Sequence, residues 1–297
     1  MIASNQPATP DDVARHYDQL DRFYRQIWGD HVHHGLWLTG RETSEQATRN
    51  LLNAVVSKLH LTPGMELCDV GCGYGHSARI IASEQQVKVT GLTISPAQQS
   101  YAASATPPGL PATFLLEDWL HNKRPAAAYD ALMAIESTEH MADKARVFSE
   151  AARVLKPGGR LVICAWLAHE TLKPWHHRHL IEPICREGRM PGLGTQSEYS
   201  HWMTAAGFHI EEARDVSKQV ARTWPICAWR FILGTLRRPT YIRFLLDPKN
   251  DNRIFALTML RLWLAYHTGA MRYVIFSAFL QTSSKAHAKN ASLQVSP

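Results

Sequence analysis

The sequence of 297 residues contains no run of about 18 apolar residues, so no membrane-spanning helix is expected. Its five cysteines (Cys68, Cys72, Cys164, Cys185, Cys227) are odd in number and include no C-x-x-C pair. That argues against a disulfide framework and fits a reducing, cytoplasmic setting. The opening "MIASNQPATPDD" lacks a basic n-region followed by an apolar h-region, so no signal peptide is expected. There is no internal repeat. No Gly-Lys-Ser/Thr follows the one glycine-rich loop, which excludes a phosphate-binding P-loop.

What remains is the composition of a globular chain. Hydrophobic residues make up 45% and charged residues 20%, which suits one sizeable domain with an appended lobe and a full core of its own. The net charge is +6, and "RRPTYIR" and "RLWLAYHTGAMRY" place much of it in the last quarter. Such an excess serves solubility, or faces an anionic membrane, substrate or nucleic acid.

Apolar residues recur at helical spacing from Asp12 to Asn53, interrupted by "WGDHVHHGLW". Thr62-Pro63-Gly64 is a turn. Beyond it, strands "MELCDV", "VKVTGLTIS", "ATFLLED", "YDALMAIES" and "RLVICAW" alternate with helices, one opened by Ser95-Pro96 and one with Asp143 near its start. "KPGG" turns the chain into the fifth strand. "HIEEARDVS" and "MRYVIFSAFLQ" read as the sixth and seventh strands, and "QSEYSHWMTAAGF" as a helix ended by Gly207. This alternation specifies an α/β fold, a doubly wound, mostly parallel seven-stranded sheet with an N-terminal helical segment and a C-terminal helical cap. The expected organisation is a helical segment over the cofactor site (1–60), a ligand-binding core (61–217), a helical lid (218–270), and a last strand with a loose tail (271–297). Ligands in such sheets bind at the carboxyl ends of the strands.

The glycine loop "LCDVGCGYGHSARI" carries Gly71, Gly73 and Gly75. A dinucleotide site needs its third glycine one residue later and an acid at the end of the second strand, where Thr93 stands. The loop therefore suits a ligand without phosphates that still needs the backbone close. S-adenosylmethionine (SAM) fits. Asp69 is within reach of its ammonium, Gly71, Cys72 and Gly73 admit the amino acid end, and the helix N-terminus offers N–H groups to the carboxylate.

At this point "DVGCGYG", "GLTISPAQ", "IESTEHMADKARVFSEAARVLKPGGRLVICAW" and "YHTGAMRY" resemble the class I SAM-dependent methyltransferases. The closest resemblance is to the tocopherol C-methyltransferase branch and the cyclopropane fatty acid synthase group. "YDQLDRFYRQIWGDHVHHGLW" and "RDVSKQVARTWP" resemble further segments of that branch, so the likeness covers roughly residues 15–280. It implies that Thr93, Ser95 and Gln98 or Gln99 serve the ribose hydroxyls in place of the missing acid. Asp118 either accepts from the adenine amino group or caps a helix. Trp119 either stacks on the adenine or packs in the core.

Methyl transfer from a sulfonium is an in-line displacement that asks for alignment, exclusion of water and removal of a proton where one is lost. Glu136, Glu139 and His140, just past the fourth strand, are the catalytic candidates, with His140 as general base. In the cyclopropane synthase group the Glu of the matching Glu-His pair helps hold a bicarbonate base, which points to Glu139; a structural role for Glu139 and His140 stands beside this. Glu136 also belongs to the cofactor side. Tyr17, His34 and Trp37 are expected to fold over the methionine end. The histidines of that segment (His31, His33, His34) and of the insertion (His176, His177, His179) lack cysteine partners at ligand spacing, and no metal is expected. Trp224 and the aromatics from Trp229 to Tyr273 either pack in the core or, as is expected here, give a lid its apolar inner face. Its arginines (Arg237, Arg238, Arg243, Arg253, Arg261) are either solvated or turned to an anionic membrane as a peripheral contact.

The function this implies is methylation of a small apolar or aromatic acceptor such as a phenol, quinol or isoprenoid-like molecule. The alternatives are a fatty-acyl modifier of the cyclopropane synthase type and a nucleic-acid methyltransferase. The last lacks the Asn/Asp-Pro-Pro-Tyr/Phe tetrapeptide of many base methylators, "IEST" standing in its place, so nucleic acid is not the expected partner.

Overall fold

Seven strands hydrogen-bond into one sheet in the order β4-β3-β2-β5-β6-β9-β8. They are β2 (Glu66–Val70), β3 (Lys88–Thr93), β4 (Ala112–Leu116), β5 (Tyr129–Ile135), β6 (Leu155–Ala168), β8 (Phe208–Asp215) and β9 (Met271–Leu280). The computed structural model describes residues 2–3, 8–27, 33–237, 242 and 255–282. Trp28, His31, Arg238, Arg243, Phe244, Arg253 and the tail beyond 282 lie outside the described residues.

β2 pairs in parallel with β3 and β5, β3 with β4, and β5 with β6, while β9 runs antiparallel between β6 and β8. All seven strands expected from the sequence are present. From β2 the chain winds outward through β3 and β4, then returns to the other side of β2 with β5. The strand order reverses between β2 and β5, and the crevice at their carboxyl ends lies at this switch point. The glycine loop follows β2 and "ESTEH" follows β5, so the topology alone brings these two segments together.

The central strands read as near-continuous apolar runs because helices cover both faces. Leu51, Leu59, Ile81, Met133 and Trp224 belong to one buried layer, and Phe148, Leu161, Tyr199 and Phe276 to the other. The flanking helices start where their caps are. Thr43 and Gln46 form a capping box at α2 (Ser44–Leu59), and Thr195 and Glu198 form another at α8 (Gln196–Ala205). Ser95 caps α4 (Pro96–Ser104) and Asp143 caps α5 (Lys144–Val154). α3 (His76–Gln85) follows the glycine loop directly.

The structure refines several local readings. The "KPGG" segment is an irregularity within β6 rather than a turn before it: β5 pairs with Leu155, the register shifts, and pairing resumes at Arg160. The N-terminal helical pattern is two helices, α1 (Pro10–Ile27) and α2. The insertion after Trp166, which showed no clean period, holds α6 (Pro174–His176), a π-turn at His177–Ile181, α7 (Glu182–Glu187) and β7 (Gly192–Leu193). β7 pairs with β1 (Ile2–Ala3) at the very start of the chain. Between β8 and β9 come α9 (Ser217–Val220), α10 (Thr223–Arg237) and α11 (Phe255–His267), with α10 and α11 packed on each other. Among the described residues no helix is long and apolar enough to cross a membrane.

Candidate active site

β2 delivers the chain into a loop whose three glycines all take positive φ. Gly71 has φ +76°, and a Cβ there would lie 2.2 Å from the Cβ of Ser137, on the segment after β5. Its role is to let the two crevice-forming segments touch. Gly73 has φ +54°, and a Cβ there would meet nothing within 4 Å. Its smallness serves open space beside the loop, so the two glycines have different physical reasons. Asp69 is buried on β2, and burial pushes its carboxyl up to about 7. A buried carboxyl in that condition favours a cationic neighbour.

The loop opens on a cleft of about 950 Å³. Gly71, Gly73, Thr93 and Gln98 line one part of it, Glu117, Asp118 and Trp119 another, and Glu136, Ser137 and His140 a third. Tyr17 and Val13 of α1 close it from the N-terminal side. The Thr93 hydroxyl donates to Gln98 Oε1 at 2.8 Å. Gln99 turns away and donates to the carbonyl of Phe114 at 3.0 Å, so Gln98 rather than Gln99 faces the cleft.

Several expected cofactor residues stand elsewhere or do two things. Ser95 is fully buried; its hydroxyl caps Gln98 N at 3.1 Å and donates to Asp18 of α1 at 2.5 Å, and it does not line the cleft. The side chain of Cys72 packs toward Gly91, where an added Cβ would meet its Sγ at 2.9 Å. Asp118 lines the cleft and is also a cap, accepting from Leu120 N at 3.0 Å and pairing with His121 Nδ1 at 2.8 Å. Trp119 is buried, with Nε1 donating to the Val147 carbonyl at 3.2 Å, which fixes its ring at the cleft wall.

A second chamber of about 670 Å³ adjoins the first. Trp166, Trp224, Ile184, Met190 and Leu262 give it apolar walls, and Glu139, Glu187 and Thr258 add polar groups. Tyr17, Glu136 and His140 line both chambers and so stand at their junction.

At that junction the Tyr17 hydroxyl lies 2.9 Å from His140 Nε2, and His140 Nδ1 lies 3.4 Å from the Arg189 carbonyl. A carbonyl only accepts, so the ring proton belongs on Nδ1 and Nε2 keeps its lone pair for the phenol. Burial pushes the imidazole down to about 4, so it is neutral at pH 7.

Glu136 sits at φ +53°, a left-handed backbone conformation that costs a non-glycine residue roughly 1–2 kcal/mol. Its carboxylate offsets this with four bonds. Oε1 accepts from His34 N at 2.7 Å and from Tyr273 OH at 2.8 Å; Oε2 accepts from His34 Nδ1 at 2.9 Å and Trp166 Nε1 at 3.0 Å. Burial opposes its charge, but His34 and the other donors outweigh that and hold the carboxyl down at about 2. One side chain thereby ties the N-terminal segment to β6 and β9.

Glu139 is the opposite case. One carboxyl oxygen accepts from Trp166 N, and Oε2 is buried with no partner. Burial pushes this carboxyl up to about 8. Lys144 beside it is itself buried and donates to the carbonyls of Thr138 at 2.7 Å, Glu139 at 3.1 Å and Met141 at 2.5 Å, holding the turn that carries Glu139 and His140.

The expected cover residues divide. Tyr17 and Trp224 reach the chambers, whereas His34 and Trp37 line neither. His34 is enclosed by Trp166, Trp224, Tyr266 and Tyr273, with ring centroids 5.0–5.6 Å away. Trp37 is buried farther off, its Nε1 3.4 Å from the Thr223 hydroxyl and Arg222 over its ring. His176, His177 and His179 line neither chamber. Sequence reasoning missed Lys144, Trp166 as a partner of both glutamates, and Glu187. Only Trp166 had a signal, as the last residue of a buried strand.

A family profile described as mycolic acid cyclopropane synthetase matches residues 4–236. The 27-O-demethylrifamycin SV methyltransferase of Amycolatopsis mediterranei is 33% identical over 230 residues, covering 75% of this chain and 83% of that enzyme. The chloroplastic tocopherol O-methyltransferase of Arabidopsis thaliana is 28% identical over 261 residues, covering 79% of this chain and 75% of its own. The crystal structure of mycolic acid cyclopropane synthase CmaA1 with SAH and CTAB superimposes with a TM-score of 0.80 at 20% identity, covering 93% of this chain and 100% of that one. The glycine loop, the switch-point cleft and these matches together place the chain in the mycolic acid cyclopropane synthetase family, as a SAM-dependent methyltransferase.

Proposed function

We propose that this chain methylates a small apolar or aromatic acceptor, such as a phenol, a quinol or an isoprenoid-like molecule, in the Trp166–Trp224 chamber. The observation that carries the reading is the pair of chambers meeting at Tyr17, Glu136 and His140. The relatives named for tocopherol and demethylrifamycin support an acceptor of this class. The chain's five free cysteines, with no C-x-x-C pair, support a reducing, cytoplasmic place of action.

The cleft residues suit SAM. Open space at Gly73 admits the amino acid end; Asp69 is buried and does not line the cleft, and its carboxyl, pushed up by burial, gains from a cation brought against the loop. Thr93 and Gln98 hold the ribose, and Asp118 and Trp119 the adenine. When bound, SAM supplies an activated methyl group. The chain's residues then have three tasks. Trp166, Trp224, Ile184 and Leu262 orient the acceptor and exclude water. Glu136, saturated by four donors, positions the cover segment and takes no proton. His140 Nε2 takes the acceptor's proton, directly or through the Tyr17 hydroxyl. A weakly basic imidazole suffices, because an oxygen or ring carbon that has gained a methyl group holds its proton loosely.

A second reading, modification of an unsaturated acyl chain, is favoured by one observation: the unpartnered Oε2 of buried Glu139 beside the second chamber. In that case Glu139 holds a small oxygen-rich base. A screen with labelled SAM separates the two. Methylation of phenols or quinols without bicarbonate supports the first reading. Turnover only of unsaturated acyl lipids, and only with bicarbonate, replaces it with the second.

A further inference from the structure

Glu187 is the last residue of α7, and a helix C-terminus disfavours an acid because its free carbonyls carry partial negative charge. Tertiary partners hold it there instead. Oε1 accepts from Arg261 of α11 and lies 3.5 Å from Arg186 Nη2, and Oε2 accepts from the Thr258 hydroxyl at 2.6 Å. Thr258 is itself an exception. It is a buried polar side chain on α11, a helix whose other inward residues include Met259, Leu262 and Ala265.

An ion pair that only pinned α11 to α7 would need no place in the second chamber. The Glu187 side chain is 8% exposed, and Glu187 and Thr258 both line that chamber among Trp166, Trp224, Ile184 and Leu262. Neither lines the cofactor cleft, whereas Tyr17, Glu136 and His140 line both. The chamber thus has a polar station at the junction, on the cofactor side, and a second one at Glu187 and Thr258. Each carboxylate oxygen can accept two hydrogen bonds, and among the described residues Oε2 receives one, so it has a place for another donor. The Arg261 pair already balances the charge there. A neutral hydroxyl therefore suits the station better than an ammonium, and an anion would meet the carboxylate head-on.

We propose that Glu187 and Thr258 form a subsite for a second hydroxyl of the acceptor, remote from the atom that takes the methyl group, so that a dihydroxy acceptor is preferred to its monohydroxy counterpart. This rests on the reading of the second chamber as the acceptor site. With its reacting atom at Tyr17 and His140, the acceptor donates its far hydroxyl to Glu187 Oε2. That bond fixes the molecule at both ends, which is the alignment an in-line transfer needs. A hydrogen bond to a charged acceptor is among the stronger ones, and a ring without the far hydroxyl leaves the Oε2 lone pair facing carbon. Glu187 is here a specificity-determining residue and touches no reacting atom.

The test is calorimetric binding of two probes to the full chain, under nitrogen and with S-adenosylhomocysteine present. The probes are trimethylhydroquinone and the trimethylphenol that lacks only its second hydroxyl. The wild type should bind the hydroquinone about ten-fold or more tightly than the phenol. The double variant Glu187→Met/Arg261→Met removes the ion pair as a unit and leaves no charge unpaired. It should bind the hydroquinone only as well as the phenol, with the phenol's affinity unchanged. Glu187→Gln keeps an oxygen for Arg261 but loses the charge, and it should lower the preference without moving the phenol; it decides the matter if the double variant does not fold. A purely structural role for Glu187 would shift both probes alike. Three results overturn the proposal: no preference in the wild type, including binding of neither probe; a preference that survives in the folded variants; or an equal loss for both probes. Binding needs no methyl transfer, so labelled SAM tests the earlier reading separately. Selective binding without methylation overturns that reading and leaves the subsite, whereas methylation of both probes at equal affinity overturns the subsite alone.

Discussion

Replacing Glu136 by Gln changes one oxygen for an NH2 group and nothing in shape, yet it should be among the most damaging isosteric changes in the chain. Both carboxylate oxygens accept two bonds. With the amide nitrogen at the Oε2 position it faces Trp166 Nε1–H, which has no lone pair to offer. With the nitrogen at the Oε1 position it faces the backbone N–H of His34, which has none either. His34 can change tautomer and Tyr273 can rotate, but one donor-to-donor conflict survives in each orientation. One buried unsatisfied donor costs about 1–3 kcal/mol, and loss of the charge weakens the bonds that remain. The expected loss at pH 7 is therefore about 2–5 kcal/mol. The pH dependence expresses the same donors as a titration. The carboxyl falls from 4.5 to about 2 on folding, worth ~3 kcal/mol. A depressed carboxyl stabilises above its unfolded value, so this contribution is complete above pH 4.5 and is lost as pH falls toward 2. Urea unfolding of both proteins from pH 7 to pH 3 measures it. The gap between them should shrink as the wild type is acidified. A variant within about 0.5 kcal/mol of wild type at pH 7 would refute the four-donor account, since that is the range of an ordinary surface change.

Other predictions concern the chemistry. His140→Ala should leave SAM affinity intact and lower kcat by about 100-fold or more; an unchanged kcat removes His140 from the reaction. Because burial depresses its imidazole to about 4, kcat/KM should hold from pH 7 to about 5 on account of this group and fall toward pH 4; a fall centred near the ordinary histidine value contradicts the neutral-imidazole reading. Asp69→Asn should weaken SAM about ten-fold or more by losing the charge that favours a cation against the loop. The same change should stabilise the protein alone above pH 7. Burial raises this carboxyl from 3.8 to about 7, so folding loses stability as pH rises between those values, and Asn has no charge to bury. A variant that both binds SAM normally and is no more stable at alkaline pH contradicts the placement of Asp69.

The sheet was legible in the sequence because its strands are short apolar runs bounded by turn chemistry, as at "MELCDV" after Thr62-Pro63-Gly64. The side chains of the site were less legible. "ESTEH" identified three titratable groups, but nothing in the spacing distinguishes Glu136, held at about 2 by four donors, from Glu139, raised to about 8 with one oxygen unpartnered. The difference comes from His34, Trp166 and Tyr273, which lie between 30 and 137 residues away along the chain. Long-range partners of that kind leave no local periodicity. Lys144 escaped notice because a lysine in the first turn of an amphipathic helix is normally solvated, and only the tertiary turn above it supplies three carbonyls. Ser95 shows the reverse: its sequence position fits both a helix cap and a ribose ligand, and its hydroxyl is already engaged with Gln98 and Asp18.

The measurement that bears most directly on the whole account is calorimetric titration of SAM into the wild type and into Gly73→Val, with NAD as control. A Cβ at Gly73 meets no protein atom within 4 Å, so the variant should stay folded apart from the strain of its φ of +54°. The added side chain enters the space assigned to the amino acid end of SAM. Saturable SAM binding by the wild type, none by the folded variant, and none of NAD by either is the expected result. Equal SAM binding by both proteins, or none by the folded wild type, contradicts the assignment of the glycine-loop cleft.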